Sequence, residues 1–247
     1  MPDVTTTSPE PDASTEAPTP DVTTGTPEPD VTIEPPLASD AQLAEFRDDY
    51  KAALNVTGNY WAKHWSKYFQ GEYVAPELVE TASFPELPGM YYHKHDEILC
   101  NGDPLPRQPN AFHCGGDQHY LAFDVEFMLQ ALELGDSFVY MIVAHEWGHA
   151  VAHHFNKDQQ SVASELTADC LAGATLYGAI ADGTLILEEG DVKEITNGLT
   201  DVADELPWGD VGDHGDPFDR IKAFDAGKNG GPRQCIGEQY AQEQPTT

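Results

Sequence analysis

The chain contains few basic residues. Its 247 residues include 12 Lys and Arg against 43 Asp and Glu, which gives a formal net charge of −31 at pH 7. A nucleic acid presents a row of phosphates that a protein neutralises with Lys and Arg. The shortage of cations therefore excludes nucleic acid as an expected partner.

The chain also lacks long hydrophobic runs. No apolar stretch approaches the roughly 20 residues needed to cross a bilayer, and no basic segment followed by an apolar one opens the sequence. We therefore predict no membrane-spanning segment in it. If the protein is exported, its signal or anchor is absent from this sequence.

Cysteine is scarce, and none of the four cysteines forms a Cys-x-x-Cys pair, which argues against a structural zinc ribbon. Cys100 and Cys114 bracket a loop rich in glycine and proline, whereas Cys170 and Cys235 lie far apart. Two disulfides in an oxidising compartment are one interpretation, and four buried free thiols are the alternative. With disulfides, we expect an extracellular or cell-surface location rather than the cytoplasm.

The first 38 residues have little apolar content. They carry eight acids and no base, and PDVTTTSPEPD at residues 2–12 returns as PDVTTGTPEPD at residues 20–30. Such a segment cannot bury enough apolar surface to fold. We predict a disordered spacer over residues 1–38, a folded domain over 39–240 and a disordered tail over 241–247. The spacer is either a stalk that holds the domain away from a cell surface or a solubilising tail without a partner.

Apolar periodicity predicts a mainly helical domain with a small β component, an α+β class. Pro and Gly recur from Gly71 to Gly116, so this segment is predicted to be mostly loop. A short strand is predicted over residues 119–123. Six helices are predicted. The first begins at Ser39 or Asp40. The others run from a cap at Asp124 to Gly135, from Asp136 or Ser137 to about Phe155, from about Gln160 to Ile180, from Asp191 to Leu206, and from Asp216-Pro217 to Gly227.

The most informative stretch is IVAHEWGHAVAHHF at residues 142–155. His145 and His149 are four residues apart, so on a helix they project from one face and can share one zinc ion. Glu146 lies between them, where it can act as a general base on a metal-activated water. Gly148 weakens a helix for no evident local reason.

Zinc needs a third protein ligand. His153 cannot serve from the same straight helix because eight residues span about 12 Å, so His153 and His154 are predicted to be helix-end residues. The remaining option is a carboxylate on the next helix, where SELTADCLAG at residues 164–173 places Glu165 and Asp169 on one face. We predict that Glu165 binds the ion and that Asp169 accepts a hydrogen bond from a ligand imidazole. The alternative is two solvated acids, which the apolar surroundings disfavour.

The blocks HEWGH, ELTADCLAG and DHGDPFDRIKAF follow one another along the chain. Together with YWAKHWSKYF and AFHCGGDQHYLAFD, they resemble the bacterial neutral zinc metallopeptidases, which are related in site logic to the gluzincins. The resemblance covers roughly residues 56–230 and implies a zincin-like catalytic domain with one Zn²⁺ ion and Glu165 as third ligand. Because the family has an HG block in its C-terminal region, the resemblance also makes His214 a candidate donor to the developing oxyanion; the alternative is a structural loop histidine. The chain departs from the family at His113, where the family has tyrosine, and at Ala150, where it has histidine.

The sequence therefore predicts a zinc-dependent peptidase that acts on a peptide or protein substrate. His145, His149 and Glu165 would hold the ion, and Glu146 would act as general base. The alternative is a catalytically silent zinc-binding module at the cell surface, adhesive in function. Glu146 argues against it, because a purely structural site has no use for a base.

Overall fold

The secondary structure is arranged around one buried helix. The computed structural model describes residues 40–116, 118–155, 161–203 and 215–237. Within these ranges there are seven helices and six short strands, which confirms a mainly helical class with a small β component. The predicted spacer at residues 1–38 and the predicted tail at 241–247 lie outside the described residues, so the domain boundaries stay predictions.

The elements have the following bounds. The helices are α1 (Asp40–Tyr68), α2 (Val125–Leu134), α3 (Asp136–Ala152), α4 (Ser161–Ala181), α5 (Asp191–Asp201), α6 (Pro217–Gly230) and α7 (Pro232–Ile236). The strands are β1 (Glu77–Leu78), β2 (Met90–Tyr91), β3 (Leu99–Cys100), β4 (Asp103–Pro104), β5 (Ala111–Cys114) and β6 (Tyr120–Asp124). None of the helices in the described ranges is long and apolar enough to span a membrane.

The central helix is α3. Fourteen of its 17 residues are buried, and its only acidic residues are Asp136 and Glu146. A helix that is apolar on all sides must be covered on all sides, and α1, α2, α4, α5 and β5 pack against it. A polar side chain in the middle of α3 is therefore held away from bulk water, where it needs a partner.

Helix α1 covers α3 with aromatic side chains. Phe46, Tyr50, Trp61 and Trp65 are all buried and follow one another at helical spacing. The helix predicted to begin at Ser39 or Asp40 is a single helix of 29 residues.

The main sheet is built on β6. β5 pairs antiparallel with β6 along its length, and β1 and β2 pair parallel with successive parts of β6. β3 and β4 form a separate antiparallel pair. The segment predicted to be loop thus contains five strands, of which four are only two residues long and too short to show a sequence period. The predicted strand over residues 119–123 is shifted by one residue.

Several predicted helix ends are confirmed. Asp124 caps α2 by accepting hydrogen bonds from the backbone N–H groups of Glu126 and Phe127, and Gly135 ends it. Asp216 caps α6 in the same way. In contrast, α3 ends at Ala152 rather than near Phe155, and α5 ends at Asp201. The predicted end of α5 at residue 206 lies outside the described residues.

Helices α4 and α6 approach each other very closely at Gly227. A Cβ atom added there would collide with the backbone oxygen of Cys170. The sequence predicts Gly227 as the end of α6, and this is wrong, because the helix continues to Gly230. Glycine is needed at this position for the contact with α4 and not as a helix stop.

Both cysteine pairs form disulfides, which confirms the disulfide interpretation. Cys100 is bonded to Cys114 and ties β3 to β5. Cys170 is bonded to Cys235 and ties α4 to α7. No cysteine is free.

Candidate metal centre

His145, Glu146 and His149 lie on the buried middle part of α3. The exposed fractions of His145 and Glu146 are only 7% and 6%. The Nε2 atoms of His145 and His149 are 3.1 Å apart, and the two rings are nearly perpendicular. The spacing of four residues therefore brings the two imidazoles to a common point, as expected for one helix face.

Glu165 joins this pair from α4. One of its oxygens lies 3.2 Å from Nε2 of His145, and the other lies 3.2 Å from Nε2 of His149. One ligand atom from each of the three residues lies within 4.8 Å of the others. The structure thus brings together the three residues predicted as metal ligands.

The three donors fit a zinc ion. Zinc lies about 2.0–2.2 Å from histidine nitrogens and carboxylate oxygens, so tetrahedral ligands around it are roughly 3.3 Å apart. The observed separations of 3.1 and 3.2 Å agree with this value. Two histidines and one glutamate also leave a fourth position open, as catalytic zinc sites do.

Gly148 allows α3 and α4 to come close enough for this arrangement. A Cβ atom at Gly148 would lie 2.8 Å from the backbone oxygen of Ala168 and 3.1 Å from its Cα atom. Neither atom is the end of a flexible side chain, so a larger residue would push the helices apart. The glycine that has no local reason in the sequence therefore has a tertiary one: it lets Glu165 reach the two histidines.

We expect Gly148→Ala to lower both the free energy of unfolding and the affinity for zinc. The clash with the α4 backbone should cost about 1–3 kcal/mol, which exceeds the gain of about 1 kcal/mol in helix propensity. Urea unfolding and zinc titration measure the two effects. Gly58→Ala is the control, because its Cβ would meet only the ring of Trp147, at 3.3 Å. A Gly148→Ala variant with the stability and the zinc affinity of wild type would show that the close contact between α3 and α4 does not require glycine at this position.

Asp169 lies behind His145, as predicted. Its Oδ1 atom is 2.8 Å from Nδ1 of His145 and is fully buried. Accepting a hydrogen bond from Nδ1 leaves the Nε2 lone pair directed toward the metal position. Burial would lower the pKa of His145, but the charge and hydrogen bond of Asp169, followed by those of Glu165, raise it above its ordinary value. A metal ion bound at Nε2 would therefore displace a proton.

Arg220 supports Asp169 from α6, and sequence reasoning did not assign it a role. Its Nε and Nη2 groups donate to the two oxygens of Asp169 at 2.8 and 2.9 Å, and Nη2 lies 4.0 Å from an oxygen of Glu165. Burial would raise the pKa of Asp169, but the charge of Arg220 and then that of His145 hold it below its usual range. The buried carboxylate therefore stays ionised. The sequence signal for it is its place in the block DHGDPFDRIKAF, which resembles the closing block of the metallopeptidases.

Ser164 is the second residue that the sequence did not reveal. Its hydroxyl oxygen is 3.2 Å from Nδ1 of His149. Each histidine therefore has a polar neighbour on its outer nitrogen, Asp169 for His145 and Ser164 for His149. Such partners fix ring orientation and tautomer in metal sites.

The group opens into a cleft of about 700 Å³. Its walls come from α2, α3, α4, the end of α5, α6 and the segment that contains β5. Phe112, Phe127, Phe138 and Ile142 provide apolar surface next to the candidate metal ligands, and Gln108 and Asn110 provide polar groups. Glu146 faces this cleft together with His145 and His149.

The other predicted residues are placed as follows. His214 lies outside the described residues. His153 lies in the turn after α3 and lines the cleft, but it does not belong to the group formed by His145, His149 and Glu165. His154 packs against the ring of Trp65, with ring centroids 4.7 Å apart.

In the described part of the chain, two further groups of acidic and histidine residues have the spacing of metal ligands. The first consists of His93, Asp124 and Glu126. Asp124 accepts four hydrogen bonds, from the backbone of Glu126 and Phe127 and from the backbone and ring of His93. Its oxygens are therefore occupied in joining the loop after β2 to α2. The second group consists of Asp136, Asp191 and Glu194 near the starts of α3 and α5. Asp191 accepts a hydrogen bond from the backbone N–H of Glu188, and Glu194 accepts one from the hydroxyl of Ser137, so these two carboxylates already have protein partners.

Comparison with known proteins adds no relative. No family model, no curated protein and no solved structure matches the chain. The resemblance to the bacterial neutral zinc metallopeptidases therefore stays a prediction from the sequence blocks.

Proposed function

We propose that this chain is a zinc-dependent peptidase. The observation that carries the proposal is the convergence of His145, His149 and Glu165 with zinc-like spacing at the wall of an open cleft. The resemblance of the HEWGH and ELTADCLAG blocks to zinc metallopeptidases supports the same function.

Glu146 is the general base in this proposal. It follows His145 directly, it is buried, and it faces the cleft. A carboxylate in this position can take a proton from an attacking water and return it to the leaving amine. A bound zinc ion supplies Lewis acidity, which lowers the pKa of water and polarises a carbonyl.

The edge of β5 supports a peptide as the substrate. β5 is bonded to β6 on one side, and residues 108–113 line the cleft. Extended peptides commonly bind by adding a strand to a sheet edge. A peptide in this position would run past Glu146 and the metal ligands.

The two disulfides indicate an oxidising environment. We propose an extracellular or cell-surface location on this basis. A peptidase there would meet protein substrates outside the cell.

Metal analysis followed by a chelator-sensitive assay on a mixed peptide library tests the function. We expect one zinc equivalent in the catalytic group, cleavage of peptides, and loss of cleavage in a chelator that returns when zinc is added back. Zinc binding without any cleavage would favour the silent surface module. Cleavage that survives chelation would exclude metal-dependent hydrolysis.

Glu165→Ala tests the assignment of the third ligand. We expect the variant to lose most of its zinc on dialysis, because two histidines alone hold the ion less well than three protein ligands. Zinc content measured by mass spectrometry is the readout, and Glu189→Ala, which removes an exposed carboxylate outside the cleft, is the control. Full zinc occupancy in Glu165→Ala would show that another residue is the third ligand.

A further inference from the structure

Four histidines form a second cluster beside the candidate metal centre. His113 comes from β5, His119 from the loop before β6, and His153 and His154 from the turn after α3. The ring centroids of His113 and His119 are 5.1 Å apart. The ring of His153 lies 6.0 Å from that of His113 and 6.3 Å from that of His119. We call these four residues the histidine cluster.

Two members of the histidine cluster already have the geometry of a ligand pair. Nε2 of His113 is 3.1 Å from Nδ1 of His119, and the rings are inclined by 84°. The pair formed by His145 and His149 has the same 3.1 Å separation and an inclination of 89°. Both separations are close to the roughly 3.3 Å expected between tetrahedral ligands of one ion.

The imidazoles of this pair are neutral, as metal ligands must be. Burial, followed by the neighbouring His119, His149, His153 and His154, lowers the pKa of His113 to about 3. Burial and His153 also lower the pKa of His119. At neutral pH neither ring is charged, so each ring has one nitrogen with a lone pair. The ring that donates the N–H···N bond would bind an ion after its proton moves to its other nitrogen.

The histidine cluster adjoins the cleft. Gly115 lies next to two of its rings, where an added Cβ atom would be in ordinary contact with Cε1 of His113 and Nδ1 of His153, both at 3.5 Å. His113 and His153 both line the cleft, so small ions can reach them from solvent. Imidazole donors suit zinc, copper and nickel.

We propose that the histidine cluster is a second site for a divalent transition-metal ion, held by Nε2 of His113 and Nδ1 of His119. His153 and His154 are further imidazoles beside this pair, with ring centroids 6.0 Å from His113 and 5.9 Å from His119 respectively, and water completes the coordination. The site is separate from the group formed by His145, His149 and Glu165, and its occupation does not require peptidase activity. A site with two fixed protein ligands binds more weakly than one with three.

Calorimetric titration of the full chain with zinc chloride, after loading with one zinc equivalent, tests the second site. We expect a second, weaker equivalent in wild type. Its affinity should fall at least tenfold in His113→Ala and in His119→Ala. His95→Ala, which removes an exposed imidazole outside the cluster, should leave it unchanged. No second equivalent, or one that both cluster variants retain at full affinity, would show that His113 and His119 share only an N–H···N hydrogen bond.

A second measurement does not depend on how the variants fold. Diethyl pyrocarbonate modifies neutral imidazoles, and peptide mapping shows which ones. Excess zinc should protect His113 and His119 of the zinc-loaded wild type, and unchanged modification would overturn the proposal. Glu146→Gln should keep the second equivalent, so a failure of the proposed peptidase function is distinguished from a failure of this site.

Discussion

Replacing Glu146 by glutamine is expected to lower kcat by roughly 10²–10⁴-fold, the usual contribution of a general acid or base. Glutamine has nearly the same shape but cannot accept the proton of an attacking water. Zinc content should stay at the wild-type level, because Glu146 does not belong to the group of ligand atoms. Initial rates on a cleaved library peptide, together with metal analysis, measure both effects.

The matched control for Glu146→Gln is Glu133→Gln. Glu133 is an exposed carboxylate on α2 outside the cleft, so its loss should leave kcat unchanged. Proteolysis that survives Glu146→Gln at the wild-type rate would remove this residue from the mechanism. A parallel loss of zinc would instead mean that Glu146 holds the site together.

Removing the carboxylate of Asp169 should have the largest effect on stability. Asp169→Ala leaves the guanidinium of Arg220, which is 3% exposed, without its buried partner. Breaking a buried ion pair from one side costs about 3–5 kcal/mol. His145 also loses the acceptor for Nδ1, and loss of such a partner typically weakens metal binding 10–100-fold. Urea unfolding and competitive zinc titration provide the two measurements.

Two controls distinguish the effect of leaving a charge buried without its partner from the effect of removing any one carboxylate. Asp225→Ala breaks an exposed pair with Lys228 at 3.9 Å and should cost less than about 1 kcal/mol. The double variant Asp169→Leu/Arg220→Met removes both buried charges and should recover much of the stability but not the zinc affinity. A single Asp169→Ala variant as stable as Asp225→Ala would contradict the role given to the pair.

The convergence of His145, His149 and Glu165 could be predicted from the sequence because helix geometry constrains it strongly. Spacing alone places His145 and His149 on one face and excludes His153 from the same ion. Because that helix offers no third ligand, a carboxylate on the next apolar helix is the remaining candidate. Local rules were also sufficient for the caps at Asp124 and Asp216, since a cap depends on residues within one turn.

The supporting residues could not be predicted because they depend on contacts between distant parts of the chain. Arg220 bonds to a residue 51 positions away, and only the packing of α6 on α4 brings the two together. Gly148 and Gly227 look like helix breakers in the sequence, whereas their role is to permit close contact between helices. The strands β1 to β4 are defined by pairing and not by a pattern within their own two residues.

The bond between Cys170 and Cys235 has a consequence for the unfolded chain. Cys170 directly follows Asp169, and the covalent ring of 65 residues that the bond closes contains Arg220. Closing a ring of this size removes conformational freedom worth roughly 4 kcal/mol in the chain-entropy model. After denaturation without reduction, Asp169 and Arg220 stay tethered at a high effective concentration. Asp169 and Arg220, the pair that orients His145, therefore stay close to each other at the start of every refolding event.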